Sequence, residues 1–340
     1  MDASIQYSAH AARLGKPFRA RDDLAAHAGN PALSDGILMG LADGAWHSGE
    51  SLAESAQISR AAIHKRVQKL RDAGWPIDAE TGRGYRLPGG WDRLDVDALR
   101  QRAPTGWSVT VLDRVTGTNA WLAERDYAGP ALVLAEQQTQ GRGSRGRQWF
   151  SPPGVNLYAS FDWQFDGASS QLGPLSLVVA VSLAAVLGRL DVRIKWPNDL
   201  IVNDAKLAGI LIEASGELAG PVRTIIGIGC NVAMAGAVDL GQPWTSLAAL
   251  GPAPSRTELA ADLMSQLDVD LRRFQTEGFA PFLPRFQALD ALDDRAVVVE
   301  QGGQRREAIA RGVNLQGQLQ CEFSDGLEAL VSGEVSVRRS

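Results

Sequence analysis

The sequence predicts a multidomain α+β protein, and three observations carry that expectation. Helical periodicity runs through residues 34–72, hairpin and helix signals alternate over 91–288, and short β-rich runs separated by glycines fill the rest. Hairpins lying beside helices favour a mixed sheet over a parallel, doubly wound one. At 340 residues, with 45% apolar and 21% charged, the chain has material for more than one core. The expected division is a poorly ordered extension (1–30), a helical unit (31–88), a central unit (91–288) and a β-rich C-terminal unit (289–340).

Residues 1–30 are polar and alanine-rich, with helix expected only near 22–27. Ser34 is placed to cap a helix over 34–42, where Ile37, Leu38 and Leu41 share a face. A second helix fits 50–56. A third fits 60–72, behind the cap Ser59 and stopped by Gly74. Residues 77–87 read as a hairpin turning through Thr81, Gly82 and Gly84, and Pro88-Gly89-Gly90 as a linker. In the central unit, extended segments are expected at 131–135, 157–163, 193–195, 200–202, 207–212 and 224–228. Helices are expected at 119–124, 174–190, 256–275 and 280–286. The most apolar stretch, 175–187, is broken by Ser176 and Ser182 and is too short to span a bilayer, so it reads as a buried helix. The runs 296–300, 308–313 and 319–323 suggest a small β-barrel.

Two helices, a tight turn and a hairpin have the grammar of a winged helix-turn-helix. Leu52 and Ala53 face inward, Ile58 fills the turn, and Ile63, Val67 and Leu70 form an apolar stripe. Between Ser59 and Arg71 stand Arg60, Lys65, Arg66, Lys69 and Arg71, with no acidic residue, in a chain of net charge −5. That local reversal fits a helix entering the major groove while phosphates are held at its ends. The face expected to meet DNA carries Ser59, Arg60, Ala61, His64, Lys65, Arg66 and Gln68. Arg83 and Arg86 on the wing point toward the backbone. A solvated basic face on an ordinary appendage is the bland alternative.

Only Cys230 and Cys321 are present, and the four histidines lack metal-ligand spacing. No metal site is expected, and so few cysteines fit a reducing cytoplasm. The segment Gln140-Gly141-Arg142-Gly143-Ser144-Arg145-Gly146-Arg147 packs three glycines and three arginines into eight residues. Glycines expose backbone N–H groups and arginines add forked donors, a combination suited to carboxylate or phosphate. It is not a Walker loop. Lys195-Trp196-Pro197-Asn198-Asp199 and Lys206-Leu207-Ala208-Gly209 add lysines and a carboxylate at strand ends, where side chains converge on pockets.

The stretches GRGSRGRQWFSPPG (141–154), KWPNDL (195–200), KLAGILIE (206–213) and GIGCN (227–231), joined to the helix-turn-helix at 47–74 and GRGYRLP (82–88), resemble the biotin protein ligases. The likeness is to their bifunctional class, which is also a biotin operon repressor. It implies a winged helix-turn-helix, a central mixed-sheet catalytic domain and a C-terminal SH3-like β-barrel. It implies ATP with Mg²⁺ and biotin as substrates, and biotinyl-AMP as intermediate and corepressor. The partners implied are the biotin carboxyl carrier domain of a carboxylase, operator DNA and a second copy in a ligand-promoted homodimer.

By that resemblance Lys206 contacts the biotin carboxylate and α-phosphate, Arg142 and Gly143 close over them, and Asp199 orients the acceptor lysine. Gly117, Thr118, Asn119, Gln138 and Ser144 belong to the biotin side. Arg145, Arg147, Asn198, Asn231 and Trp244 belong to the nucleotide side, with Trp244 stacking on adenine. Two positions depart from the family. Ser144 stands where relatives carry arginine, which implies faster loss of the adenylate unless Arg145 or Arg147 substitutes. Gly117 stands where serine is common. The strand over 207–212 is expected to serve as the dimer edge. A non-catalytic small-molecule-sensing regulator and a lipoate-type ligase remain alternatives, as does a helix-turn-helix kept only as a structural module.

Overall fold

The computed structural model describes residues 36–166, 172–189, 191–216, 220–332 and 335–339. The expected extension (1–30), its helix at 22–27 and the cap Ser34 lie outside the described residues. The N-terminal unit is α1 (Gly36–Gly40), α2 (Gly49–Ala56), α3 (Arg60–Asp72), β1 (Asp78–Glu80) and β2 (Gly84–Arg86). Ser48 and Ser59 cap α2 and α3, accepting from Ser51 N at 3.0 Å and Ala62 N at 3.2 Å. Ile37, Leu38, Leu52, Ile63, Val67 and Leu70 pack with Trp75, Ile77, Leu87 and Trp91 into one apolar cluster. His47 and Tyr85 exchange backbone hydrogen bonds, adding a third short strand to the wing. A Cβ on Gly84 would lie 2.0 Å from His47 O, so only glycine permits that approach.

The central unit contains α4 (Val96–Arg102), β3 (Ser108–Val115), α5 (Thr118–Ala123), β4 (Ala131–Gln138), β5 (Leu157–Phe165), α6 (Leu175–Leu187), β6 (Arg193–Lys195), β7 (Asp199–Val202), β8 (Ala205–Gly216), β9 (Val222–Cys230), α7 (Leu247–Leu250), α8 (Arg256–Glu277) and α9 (Leu283–Leu289). The strands form a seven-stranded sheet in the order β3-β4-β5-β9-β8-β7-β6. Only β3 and β4 run parallel, so the mixed sheet is as expected. The apolar α6 is buried almost all round, between the sheet and α8. On the other face α5 packs over β4, β5 and β9 and leaves the rest of that surface for a site.

The strand expected to form a dimer edge is largely interior. β8 is flanked by β9 and by β7 as far as Gly209, and Ile210 N donates to Asn198 O. Within β8 only the stretch from Leu211 to Gly216 has, among the described residues, a ladder on one side alone.

The last unit holds β10 (Ala296–Gln301), β11 (Gln304–Val313), β12 (Leu319–Phe323), β13 (Gly326–Leu330) and β14 (Val335–Arg339), an antiparallel sheet in the order β13-β12-β11-β10-β14. Among the described residues the pairings leave β13 and β14 as its two edges and show no closed barrel. It shares the central core, and Trp196 Nε1 donates to Gly317 O at 2.9 Å across the junction.

Candidate active site

The sequence Lys206-Leu207-Ala208-Gly209 enters β8 after a two-residue turn in which Asn203 and Asp204 have positive φ. Lys206 Nζ sits 2.8 Å from Asp199 Oδ1 on the neighbouring strand, with side chains 12% and 17% exposed. Among the described residues no donor is aligned for a directed hydrogen bond to that oxygen, so the contact is an ion pair that holds the ammonium over the sheet. The same ammonium lies 5.3 Å from the centre of the Trp149 ring, a cation–π contact.

Trp149 ties the lysine to the arginine-glycine loop. Its backbone N donates to Gly141 O at 2.8 Å, and Arg142 and Gln148 form a bridge that closes the loop into a short hairpin. Its indole lies on Gly209 and Gly229, which pair across β8 and β9. A Cβ on Gly229 would meet the indole at 2.4 Å, so the glycine there makes room for the ring. The indole N–H is buried without a partner among the described residues.

A polar chain leads along the groove. Gln138 Oε1 accepts from Thr118 N at 2.9 Å and Oγ1 at 3.1 Å, while its amide donates to Ser151 Oγ at 3.0 Å. Ser160 Oγ lies 2.6 Å from both Thr118 Oγ1 and Asn119 Oδ1. Asn119 Nδ2 donates to Glu213 at 2.8 Å, and Arg142 Nη1 reaches the other oxygen of that carboxylate at 3.0 Å. A serine would fit at Gly117, where a Cβ meets nothing nearer than 3.7 Å.

Within the loop Arg147 donates to Ser144 O at 3.3 Å and Oγ at 3.0 Å, so the serine anchors a neighbouring guanidinium. Arg145 turns at φ 59°. Partial burial lowers its pKa first and Arg147's charge adds to this, while Asp199 opposes, which puts it within electrostatic reach of the Lys206–Asp199 pair.

The nucleotide-side candidates divide. Trp244 lies beside Lys206 through a backbone bridge, with Lys206 N bonded to Pro243 O and Thr245 N to Lys206 O, each at 2.9 Å. It lines a cavity of about 660 Å³ with Met234 and Val238. Asn198 and Asn231 turn their amides into the scaffold instead: Asn198 to Ile210 O at 2.7 Å, and Asn231, 3% exposed, to Thr245 O at 3.0 Å. Asn231 thereby holds the Trp244 segment against Lys206.

At the other end of the chain, Ser59, Arg60, Ala61, His64, Lys65, Arg66 and Gln68 all face solvent on α3. The wing arginines are less available than the sequence suggests. Arg83 pairs with Glu80 at 2.9 Å and stacks 4.4 Å from the Trp46 ring centre, and Arg86 pairs with Asp78 at 2.6 Å.

Residues 109–231 match the profile of the biotin/lipoate A/B protein ligase family, and 37–86 match that of an HTH domain. The chain is 41% identical over 306 residues to the bifunctional ligase/repressor BirA of Salmonella typhimurium, covering 88% of this chain and 95% of the relative. The chain belongs to the bifunctional biotin ligase/repressor family. The Escherichia coli member is 40% identical over the same share of each chain. A solved biotin protein ligase from Aquifex aeolicus, in complex with biotin and ATP, superposes with a TM-score of 0.61 at 26% identity, over 68% of this chain and 99% of that one.

Within this ligase/repressor chain the motifs mark Lys206 and Arg142, the family resemblance marks Thr118, Asn119 and Gln138, and all five are linked to one groove. Trp149, Ser151, Ser160 and Glu213 belong to it equally and were not singled out. Trp149 and Ser151 lie inside the quoted GRGSRGRQWFSPPG stretch, and Glu213 closes KLAGILIE. Ser160 stands in no motif, and only the fold brings it to Asn119.

Proposed function

We propose that this chain is a biotin–[biotin carboxyl carrier protein] ligase that also represses transcription of biotin synthesis genes. The observation that carries the reading is the convergence of Lys206, Asp199 and the 141–149 loop on one groove. Joining a carboxylate to a triphosphate brings two anions together, and fixed cationic donors offset that repulsion in the transition state. Biotin's ureido head lies against Thr118, Asn119 and Gln138, and its carboxylate reaches toward Lys206. A carboxylate oxygen attacks the α-phosphorus of Mg²⁺-bound ATP and pyrophosphate leaves. Lys206 and Arg142 hold the oxygens on which charge accumulates, Gly143, whose N–H donates to Arg147 O at 2.7 Å, shapes the loop that closes over them, and Trp244 stacks on adenine. The amine of a carrier-domain lysine then attacks the anhydride carbonyl, AMP leaves, and Asp199 orients the incoming amine. Arg145, held near Asp199, and Arg147, anchored on Ser144, supply the charge that residue 144 lacks, with Asn198 and Asn231 supporting the nucleotide side through the scaffold.

The domain boundaries consistent with this are 31–88, 91–288 and 289–340, with the last unit curling as an SH3-like barrel. Biotinyl-AMP acts as corepressor. It orders the loop and promotes a dimer through the half-open edge of β8 beyond Leu211, and α3 with the wing meets the operator. Sedimentation with and without biotinyl-AMP tests the dimer; an unchanged monomer fraction rejects it.

The reaction is tested by incubating the chain with ATP, Mg²⁺ and either biotin or lipoate, then looking for the acyl-adenylate and pyrophosphate. Adenylate with biotin alone is expected, and adenylate with lipoate alone, or none, overturns the reading. Lys206→Ala is expected to keep the fold and lower pyrophosphate release by about 10²–10³-fold, as for loss of one transition-state donor.

A further inference from the structure

The groove floor runs along one face of β8. Side chains alternate along a strand, so Gly209, Leu211 and Glu213 share that face with their cross-strand neighbours Gly229 and Gly227. A Cβ on Gly209 would lie 3.1 Å from Lys206 Cε, which marks the lysine end. Glu213 stands at the opposite end, about 13 Å along the strand from Gly209.

Its two carboxylate oxygens serve different partners. Oε2 accepts from Asn119 Nδ2 at 2.8 Å in a protected setting: Asn119 is 9% exposed, and Ser160 occupies its Oδ1. A Cβ on Gly227 would come within 2.4 Å of Asn119 Oδ1, so the side chain lies directly on the sheet. Oε1 accepts a single N–H of Arg142 at 3.0 Å, at the rim, where the arginine is 60% exposed. A guanidinium has five donors and binds carboxylates best through two at once. One donor in an exposed pair is a weak hold that another anion can break.

We infer that Glu213 is a positioning residue with two tasks: it fixes Asn119, and it parks Arg142 until the substrate's carboxylate competes the arginine away. The inference rests on the proposed function, in which Arg142 meets that carboxylate. It predicts that acid binding carries a penalty that a neutral analogue escapes. Glu213→Gln keeps an acceptor for Asn119 and removes the charge that competes for Arg142. Glu213→Ala removes both.

The test is calorimetric binding of biotin and of biotinol, its alcohol analogue, to the full chain and both variants. Glu213→Gln is expected to bind biotin about two- to fivefold tighter, as for release of an exposed ion pair, with biotinol unchanged within about twofold. Glu213→Ala is expected to weaken biotinol by about fivefold through the lost acceptor of Asn119. A biotin-to-biotinol ratio unchanged in Glu213→Gln, or shifted against biotin, overturns the inference. If the native chain binds biotin and forms its adenylate while that ratio stays fixed, only this inference falls. If the native chain binds neither ligand, the proposed function falls with it.

Discussion

Asp290 illustrates how one side chain sets a pH window. It stands where the chain leaves α9, bridged to Ile194 of β6, and its Oδ1 accepts from Leu292 N at 2.8 Å. Its Oδ2 is buried without a partner among the described residues. Burial pushes the carboxyl up from 3.8 to about 6, helped by the neighbouring charge of Asp293. The folded chain therefore binds this proton more tightly than the unfolded chain. The resulting stabilisation is complete below the unfolded value, falls as pH rises between the two, and is gone above about 6. Two pKa units correspond to about 3 kcal/mol at most. Asp290→Asn keeps the acceptor for Leu292 and cannot ionise. Denaturant melts from pH 4 to 7 should show a flatter profile in the variant and greater stability at pH 7. A native profile in the variant would show that the burial cost is relieved by other means.

Among the elements, β8 and β9 matter through what they lack. Gly209 and Gly229 give the sheet a bare strip on which Trp149 rests, and the indole in turn supports Lys206. Gly229→Ala places a methyl where the ring now lies, and both neighbouring strands are fixed by their ladders, so the ring must move. The expected result is a shifted tryptophan emission and adenylation reduced by about tenfold, equivalent to about 1.4 kcal/mol, with the thermal midpoint changed little. Unaltered emission and rate would mean the indole is not part of the site. These strands also show what the sequence could disclose. The helix-turn-helix was legible because its caps and apolar stripe are local, and α6 because it is apolar throughout. The Lys206 and arginine-glycine motifs were legible as dense, ordered runs. β3 was not, since its alternation is mixed and its identity is set by pairing with β4. Glu213 was not, since its partners Arg142 and Asn119 stand 71 and 94 residues away. That the 207–212 segment lies mostly inside the sheet depends on where β7 begins, at Asp199 opposite Gly209, which no local pattern reports.

At the scale of the whole molecule, the end of β4 joins the two proposed activities through three consecutive residues. Glu136 is buried and accepts from Leu94 N at 2.9 Å, Trp91 Nε1 at 3.2 Å and Arg256 Nη2 at 2.8 Å, fixing the linker to α8. Gln137 Nε2 donates to Ala73 O at 2.8 Å, at the C-terminal end of α3. Gln138 holds Thr118 and Ser151 in the groove. Beside them the 151–154 turn seats the N-terminal unit: a Cβ on Gly154 would lie 2.7 Å from Trp75, whose ring meets Trp91 edge-on at 5.2 Å. A helix-turn-helix set on these contacts has its orientation tied to the groove wall, and that orientation decides which base edges the recognition helix meets in the major groove. Gln137 isolates that link, because among the described residues its own Oε1 is buried without a partner. Gln137→Leu frees Ala73 O but also removes an unsatisfied acceptor, so the two effects on stability largely offset. The variant should ligate within about twofold of native and melt normally, while operator affinity falls by about fivefold, the worth of one hydrogen bond. Amide exchange should rise around residues 70–77 in the same variant. Native operator affinity with native exchange there would place the coupling in the Trp75–Trp91–Gly154 contact instead, because that contact would then hold the orientation without the strut.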